Sequence, residues 1–204
     1  MLRNHGCNTT VPNGNFESGP AIWSQYSTHG WPLITNSNFP GTITPRSGSW
    51  AVWLGGEYDD VSYIQQQIVV PACAPYLSYY HWIASGDVCG FDFGGVIVNG
   101  KVVDVYTLCE DTSTGGWVKH VVNLSAYSGQ SVSLQIRAET DDSLNSNLFV
   151  DDVAFQTGAT VLQNVPLALD GREMQPRTSV LTLIRSSLEK PVAVERMLSF
   201  ERSR

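Results

Sequence analysis

Two adjacent carboxylates, Asp151 and Asp152, sit in the middle of an apolar run, Leu148-Phe149-Val150-Asp151-Asp152-Val153-Ala154-Phe155. The run is rich in β-branched and aromatic residues and reads as a buried strand. Strand side chains alternate between faces, so the two carboxylates are expected to point opposite ways, one of them into apolar surroundings. A carboxylate placed there needs a metal, an Arg or Lys partner, or a ring of N–H donors. Near the other end of the chain, Asn13-Gly14-Asn15-Phe16-Glu17 supplies another carboxylate beside what reads as a short strand. The expectation is that the first and last strands meet and that Glu17, Asp151 and Asp152 share a Ca²⁺, an ion that takes six to eight oxygen ligands. The alternative is that backbone N–H groups and Arg137 or Arg46 satisfy both aspartates.

The aromatic residues suggest a second kind of chemistry. Six Trp and eight Tyr occur. Sugar rings present C–H faces that stack on aromatics, while nearby amides and carboxylates bind their hydroxyls. Trp31, Tyr58, Trp82 and Trp117 are the candidate ligand-binding rings, with Gln65, Gln67, Asp87 and Asp92 as polar company. The competing reading places these rings in core or edge packing. Catalysis has little support. There is no Gly-x-Ser-x-Gly, no phosphate-cradling loop, no HExxH and no Cys/His nucleophile arrangement. The acidic groups Glu57-Tyr58-Asp59-Asp60 and Glu139-Thr140-Asp141-Asp142 read as solvated turns rather than as a glycosidase pair or a second Ca²⁺ site. No catalytic residue is assigned, and the chain is expected not to be an enzyme.

These groups are positioned by a series of short strands. Apolar and aromatic segments at 23–26, 49–55, 62–70, 77–84, 93–98, 102–108, 117–124, 131–139 and 148–155 alternate with Gly-, Pro-, Asn- and Ser-rich turns. The segment 27–49, with Pro32, Pro40 and Pro45, reads as loop, and no helix is expected before residue 158. The fold class that follows is all-β: a two-layer antiparallel β-sandwich of jelly-roll topology. Cys89 and Cys109 flank the 93–98 and 102–108 strands, which Asn99-Gly100 joins as a type I′ hairpin, so Cys89–Cys109 is the favoured disulfide. Cys7–Cys73 follows by elimination, and free buried thiols are the alternative.

The chain has 204 residues and a formal net charge of −7, and only 15% of its residues are charged. The acidic balance argues against a nucleic-acid partner. Residues 1–157 hold 14 acidic and 5 basic residues, whereas 158–204 hold 5 and 7. This sets an expected boundary between a sandwich module over 1–157 and an irregular C-terminal extension over 158–204. The extension is read as disordered, as a short helix, or as an interaction strand that self-associates by adding to a sheet edge. No stretch approaches the roughly 20 apolar residues of a membrane span. Met1 is followed by Leu-Arg-Asn-His-Gly without the apolar core of a secretory leader, so a secreted protein would carry its leader outside this sequence.

The motifs NGNFESG (13–19), SGSWAVWLGG (47–56), SYIQQQIVVPA (62–72), LSYYHWIASGD (77–87), GGWVKHVVNLSAYSGQSVSLQIRAETD (115–141) and LFVDDVAF (148–155) together resemble a bacterial extracellular jelly-roll module. They are similar to the galactose-binding-like β-sandwiches, which include carbohydrate-binding modules and MAM-like adhesion domains. The resemblance spans roughly residues 13–156. It implies a structural Ca²⁺ held by Glu17 and Asp151 or Asp152, a carbohydrate partner, and a secreted or cell-surface location. The competing function class is a structural or adhesive surface protein, or a filament subunit, acting through protein–protein contacts.

Overall fold

A computed structural model describes residues 6–160. Ten strands follow one another: β1 (Ser24–Ser27), β2 (Ile34–Thr35), β3 (Ala51–Gly55), β4 (Val61–Val69), β5 (Tyr76–Ser85), β6 (Asp92–Val98), β7 (Lys101–Leu108), β8 (Val118–Asn123), β9 (Ser131–Glu139) and β10 (Ser146–Gln156). They form two five-stranded sheets of order β1-β4-β9-β6-β7 and β2-β3-β10-β5-β8, each with antiparallel neighbours. No helix among the described residues is long and apolar enough to cross a membrane.

Strand alternation builds the core. In β9 Val132, Leu134, Ile136 and Ala138 turn inward, and in β5 Leu77, Tyr79 and Ile83 do. Each set is apolar at every second residue, so pairing the sheets face to face buries both rows at once. Apart from the short strand expected at 13–17, the strands read from the sequence are present with ends shifted by no more than two residues. Strand β2 lies inside the segment read as loop. It is only two residues long, too short to show a period.

Turn chemistry sets the connections. Asn99 (φ 50°) and Gly100 (φ 76°) take the left-handed conformations of a type I′ turn between β6 and β7. Both disulfides are formed: Cys89–Cys109 ties the base of that hairpin, and Cys7–Cys73 ties the N-terminal segment to the turn after β4.

The two ends of the sandwich meet. Val153 N–H donates to Gly14 O at 2.7 Å, Phe155 N–H donates to Thr9 O at 2.8 Å, and Thr10 bridges Ala154. The meeting segment is not the short strand expected at 13–17. It is a run of turns, with Asn13 at φ 49° and Phe16 at φ 59°. The Asn13 side chain holds it by donating to Gly19 O and Ala21 O and accepting from Ser18 N–H, while Phe16 is fully buried. These local bonds outcompete ladder pairing.

The connection between β2 and β3 folds back over the outer face of the β2-β3-β10-β5-β8 sheet. Phe39 packs edge-on against Phe149 at 6.1 Å. Trp117 Nε1 donates to Thr44 O at 3.0 Å, and the Arg46 guanidinium lies 3.5 Å above the Tyr80 ring. This strap shapes both regions considered next. The extension expected from residue 158 lies, from residue 161 on, outside the described residues, and so does the self-association assigned to it.

Candidate functional site

The first region is the acidic knot under the strap. β10 carries a bulge between Asp151 and Ala154, and Asp152 sits at φ 51°. The bulge breaks alternation, so both carboxylates reach the same strap segment instead of opposite faces. This corrects the expectation that one of them enters the core between the sheets. Asp151 is fully buried, but beneath the strap. Its Oδ2 accepts N–H groups of Arg46 (2.9 Å) and Ser47 (3.0 Å), and its Oδ1 accepts the Asp152 N–H (2.7 Å). Asp152 pairs with the Arg46 guanidinium and accepts the Ser47 hydroxyl. Glu17 Oε1 accepts the N–H groups of Ser49 and Trp50, both at 2.9 Å. Gly48 lies between, at φ +59°, where an added Cβ would fall 2.2 Å from the Glu17 carboxyl carbon.

Glu17, Asp151 and Asp152 thus converge on residues 46–50, each held there by hydrogen-bond donors. Of the two sequence readings, this geometry is that of N–H groups and Arg46. Glu17 Oε1 and the oxygens of both aspartates face these donors. Burial pushes the Asp151 carboxyl up to about 7; the Ser47 N–H opposes this, the Asp152 charge adds to it, and the Asp152 and Arg46 N–H groups oppose it.

The second region is a pocket of about 410 Å³ at the β2–β3 edge of the same sheet. Trp31, which is 57% exposed, and Trp53 both line it, with Thr35, Asn38 and Glu57 supplying polar groups. Trp53 is braced from behind: its Nε1 donates to Asn147 Oδ1 at 2.9 Å, and its ring packs 5.7 Å from Phe149. Gly56 (φ +78°) lets the backbone pass close to this indole, since a Cβ there would lie 2.6 Å from Nε1.

The four candidate rings therefore separate. Trp31 lines the pocket, and Tyr58 is exposed next in sequence to its Glu57, with its carbonyl bonded to the His29 ring at 2.9 Å. Trp82 and Trp117 form an edge-to-face pair at 6.1 Å that holds the strap. Gln65 accepts from Gln135 Nε2 at 3.1 Å on the other sheet, and Gln67 is exposed on the same strand. Trp53, Asn38 and Glu57 were missed as pocket residues. Trp53 had a signal: between the inward-facing Val52 and Leu54, its indole must point outward.

Two further clusters lie apart from both regions. Between the sheets, His81 packs against Tyr79, Tyr106 and His120, with ring centroids 5.0–6.0 Å apart across the group, and His120 reaches Asp104 at 2.7 Å. Burial, and then the neighbouring His120, lower the His81 pKa to about 3. At one end of the sandwich the carboxylates of Asp87, Asp92 and Asp141 approach one another. Among the described residues this is the one set of three or more acidic, His or Cys side chains with potential ligand atoms within 4.8 Å of one another.

No family model matches the sequence. Bacillopeptidase F of Bacillus subtilis (strain 168) is 26% identical over 166 residues; the match covers 74% of this chain and 11% of that protein's length. Among solved structures, TmCBM61 in complex with β-1,4-galactotriose superposes with a TM-score of 0.53 at 13% identity, covering 74% of this chain and 99% of that one. The K2 cleaved adhesin domain of Lys-gingipain gives 0.52 at 19% identity, with the same coverage. The K1 domain of the same protein, from Porphyromonas gingivalis W83, gives 0.51 at 15%, covering 71% and 96%. The likeness spans nearly the whole of each of these modules, and with the paired five-stranded sheets it shows the architecture: this chain has the two-layer, jelly-roll β-sandwich fold that those modules share.

Proposed function

We propose that this chain is a non-catalytic, extracellular carbohydrate-binding module whose ligand lies in the pocket between Trp31 and Trp53. The observation that carries the reading is the exposed indole of Trp31 on a concave, open-sided site whose other ring is rigidly backed. Exposed large rings are normally removed from water, and one held at the mouth of a pocket of ligand size is suited to stacking on a sugar. Thr35, Asn38 and Glu57 offer hydroxyl, amide and carboxylate groups to the ligand's hydroxyls. The fold shared with a galactotriose-binding module agrees with this partner, and two disulfides agree with an oxidising, extracellular setting.

The test is affinity electrophoresis of the full chain through gels containing β-1,4-galactan and a panel of other polysaccharides, followed by calorimetry on any that retard it. Trp31→Ala is expected to weaken binding at least about tenfold, as expected if a stacked ring contributes about 1.4 kcal/mol. Val69→Ala, at an exposed position of β4 in the other sheet, serves as the control. Retention unchanged by Trp31→Ala would remove the pocket from the reading. Absence of retention on every glycan, together with concentration-dependent self-association, would favour an adhesive or structural protein.

A further inference from the structure

We infer that Asp87, Asp92 and Asp141 form a binding site for a divalent cation of the calcium type, separate from the sugar pocket and from the Glu17–Asp151–Asp152 knot. Three segments distant in sequence bring these carboxylates together. Asp92 opens β6 and, by the alternation that turns Val96 and Val98 inward, points into the end of the sandwich, where it is fully buried. Asp141 follows β9, the strand paired with β6, and its N–H donates to Asp92 Oδ1 at 2.7 Å. Asp87 lies in the turn between β5 and β6. That turn is fixed by the Cys89–Cys109 disulfide, by Glu110 N–H donating to Asp87 O at 2.9 Å, and by the Asp87 N–H donating to Ser85 Oγ at 2.9 Å.

The decisive feature is what the inner oxygens lack. Asp87 Oδ1 accepts the Val88 N–H at 2.7 Å, but Asp87 Oδ2 and Asp92 Oδ2 are buried without any hydrogen-bond partner. Among the described residues, no Lys or Arg forms an ion pair with either aspartate. Buried carboxylate oxygens left in this state are expensive, and a native protein supplies them with a donor, a proton or a metal. The spacing admits a metal: each of the three side chains places a carboxylate oxygen within 4.8 Å of the others, and oxygens about 2.4 Å from a shared Ca²⁺ can stand no farther apart than that. The donor set is oxygen throughout, with no imidazole or thiolate, and so selects a hard cation over zinc or copper.

The ion would join the turn after β5, the start of β6 and the end of β9, and so lock one end of the sandwich. The experiment is thermal unfolding of the full chain at pH 7.5 in EDTA and in excess CaCl₂ or MgCl₂, with Tb³⁺ luminescence as a direct binding readout. Ca²⁺ at about 100 times its Kd is expected to raise Tm by about 5–10 °C, and Mg²⁺ by less. Asp92→Asn and Asp141→Asn are expected to abolish both the shift and the luminescence, whereas Glu17→Gln keeps them. Asp87→Asn, in the turn before β6, provides a second variant should Asp92→Asn fail to fold. Equal Tm in EDTA and Ca²⁺, or a shift that survives Asp92→Asn and Asp87→Asn but is lost in Glu17→Gln, would overturn the assignment. Sugar binding is read separately, so neither result depends on the other.

Discussion

The molecule contains two acidic clusters that look alike in composition and differ in how their charge is met. In the knot of Glu17, Asp151 and Asp152, strap N–H groups, one hydroxyl and the Arg46 guanidinium face the carboxylates. In the cluster of Asp87, Asp92 and Asp141, two buried oxygens have no donor. One lies beneath the strap on the outer face of a sheet and the other at an end of the sandwich, and both join segments far apart in sequence. The difference teaches that adjacent acidic residues do not by themselves announce a metal; the deciding variable is whether the backbone turns N–H groups toward them. A strap with its amides aimed inward joins distant segments by meeting carboxylate charge with N–H groups.

That contrast can be broken or sharpened by substitution. The largest effect is expected at Asp151→Ala, which strands the N–H groups of Arg46, Ser47 and Asp152 beneath the strap. A loss of about 3–5 kcal/mol, the same in EDTA and in Ca²⁺, is expected from chemical denaturation. A loss that appears only in Ca²⁺ would mean the knot holds an ion after all.

Next is the acid limb of stability, to which a group outside both clusters contributes. His81 has a folded pKa of about 3, below its ordinary 6.5, with His120, Tyr79, Tyr106 and Asp104 grouped around it. Between those two pH values the unfolded chain binds the proton and the folded chain does not. The His81 contribution is therefore complete above pH 6.5 and is lost as pH falls, by about 1.4 kcal/mol per pH unit. Denaturation curves of wild type and His81→Phe at pH 7.5 and pH 5 isolate this slope; equal slopes in the two proteins would reject it. With the histidine removed, the pH response of the carboxylates can be compared directly.

The smallest effect is the most diagnostic. In EDTA, Asp92→Asn removes a buried charge that has one unmatched oxygen, and it is expected to be neutral or to stabilise by about 1 kcal/mol. Asp151→Ala has the opposite sign under the same conditions. A clear destabilisation by Asp92→Asn in EDTA would show that a donor serves Asp92 and would erase the distinction between the two clusters.

Much of the architecture was legible in the sequence because sheet formation leaves a local record. The run from Ser131 to Glu139 alternates at every residue, so its inner face and its limits could be read directly. The hairpin at Asn99-Gly100 was legible because only certain residues tolerate two successive left-handed conformations, and the Cys89–Cys109 pairing follows from that hairpin. Strand β2 was not legible, since two residues carry no period. The turn at Asn13 to Glu17 was misread because its Phe and its polar residues also fit a strand, and the Asn13 side-chain bonds that decide the matter run to backbone carbonyls up to eight residues away.

The sequence alone determined which segments become strands, which faces they bury and which cysteines can meet, because periodicity and turn preference act over a few residues. The tertiary structure decided everything about the sites. Arg46 reaches Asp151 across 105 residues, and a single bulge in β10 turns Asp152 to the same side as its neighbour. Trp31 finds Trp53 only because a loop folds over a sheet edge, and Asp87, Asp92 and Asp141 converge only because β6 pairs with β9 and a disulfide fixes the turn before it. Strand pairing brings distant residues within a few ångströms, and no local pattern encodes which of them will then face a donor and which will face none.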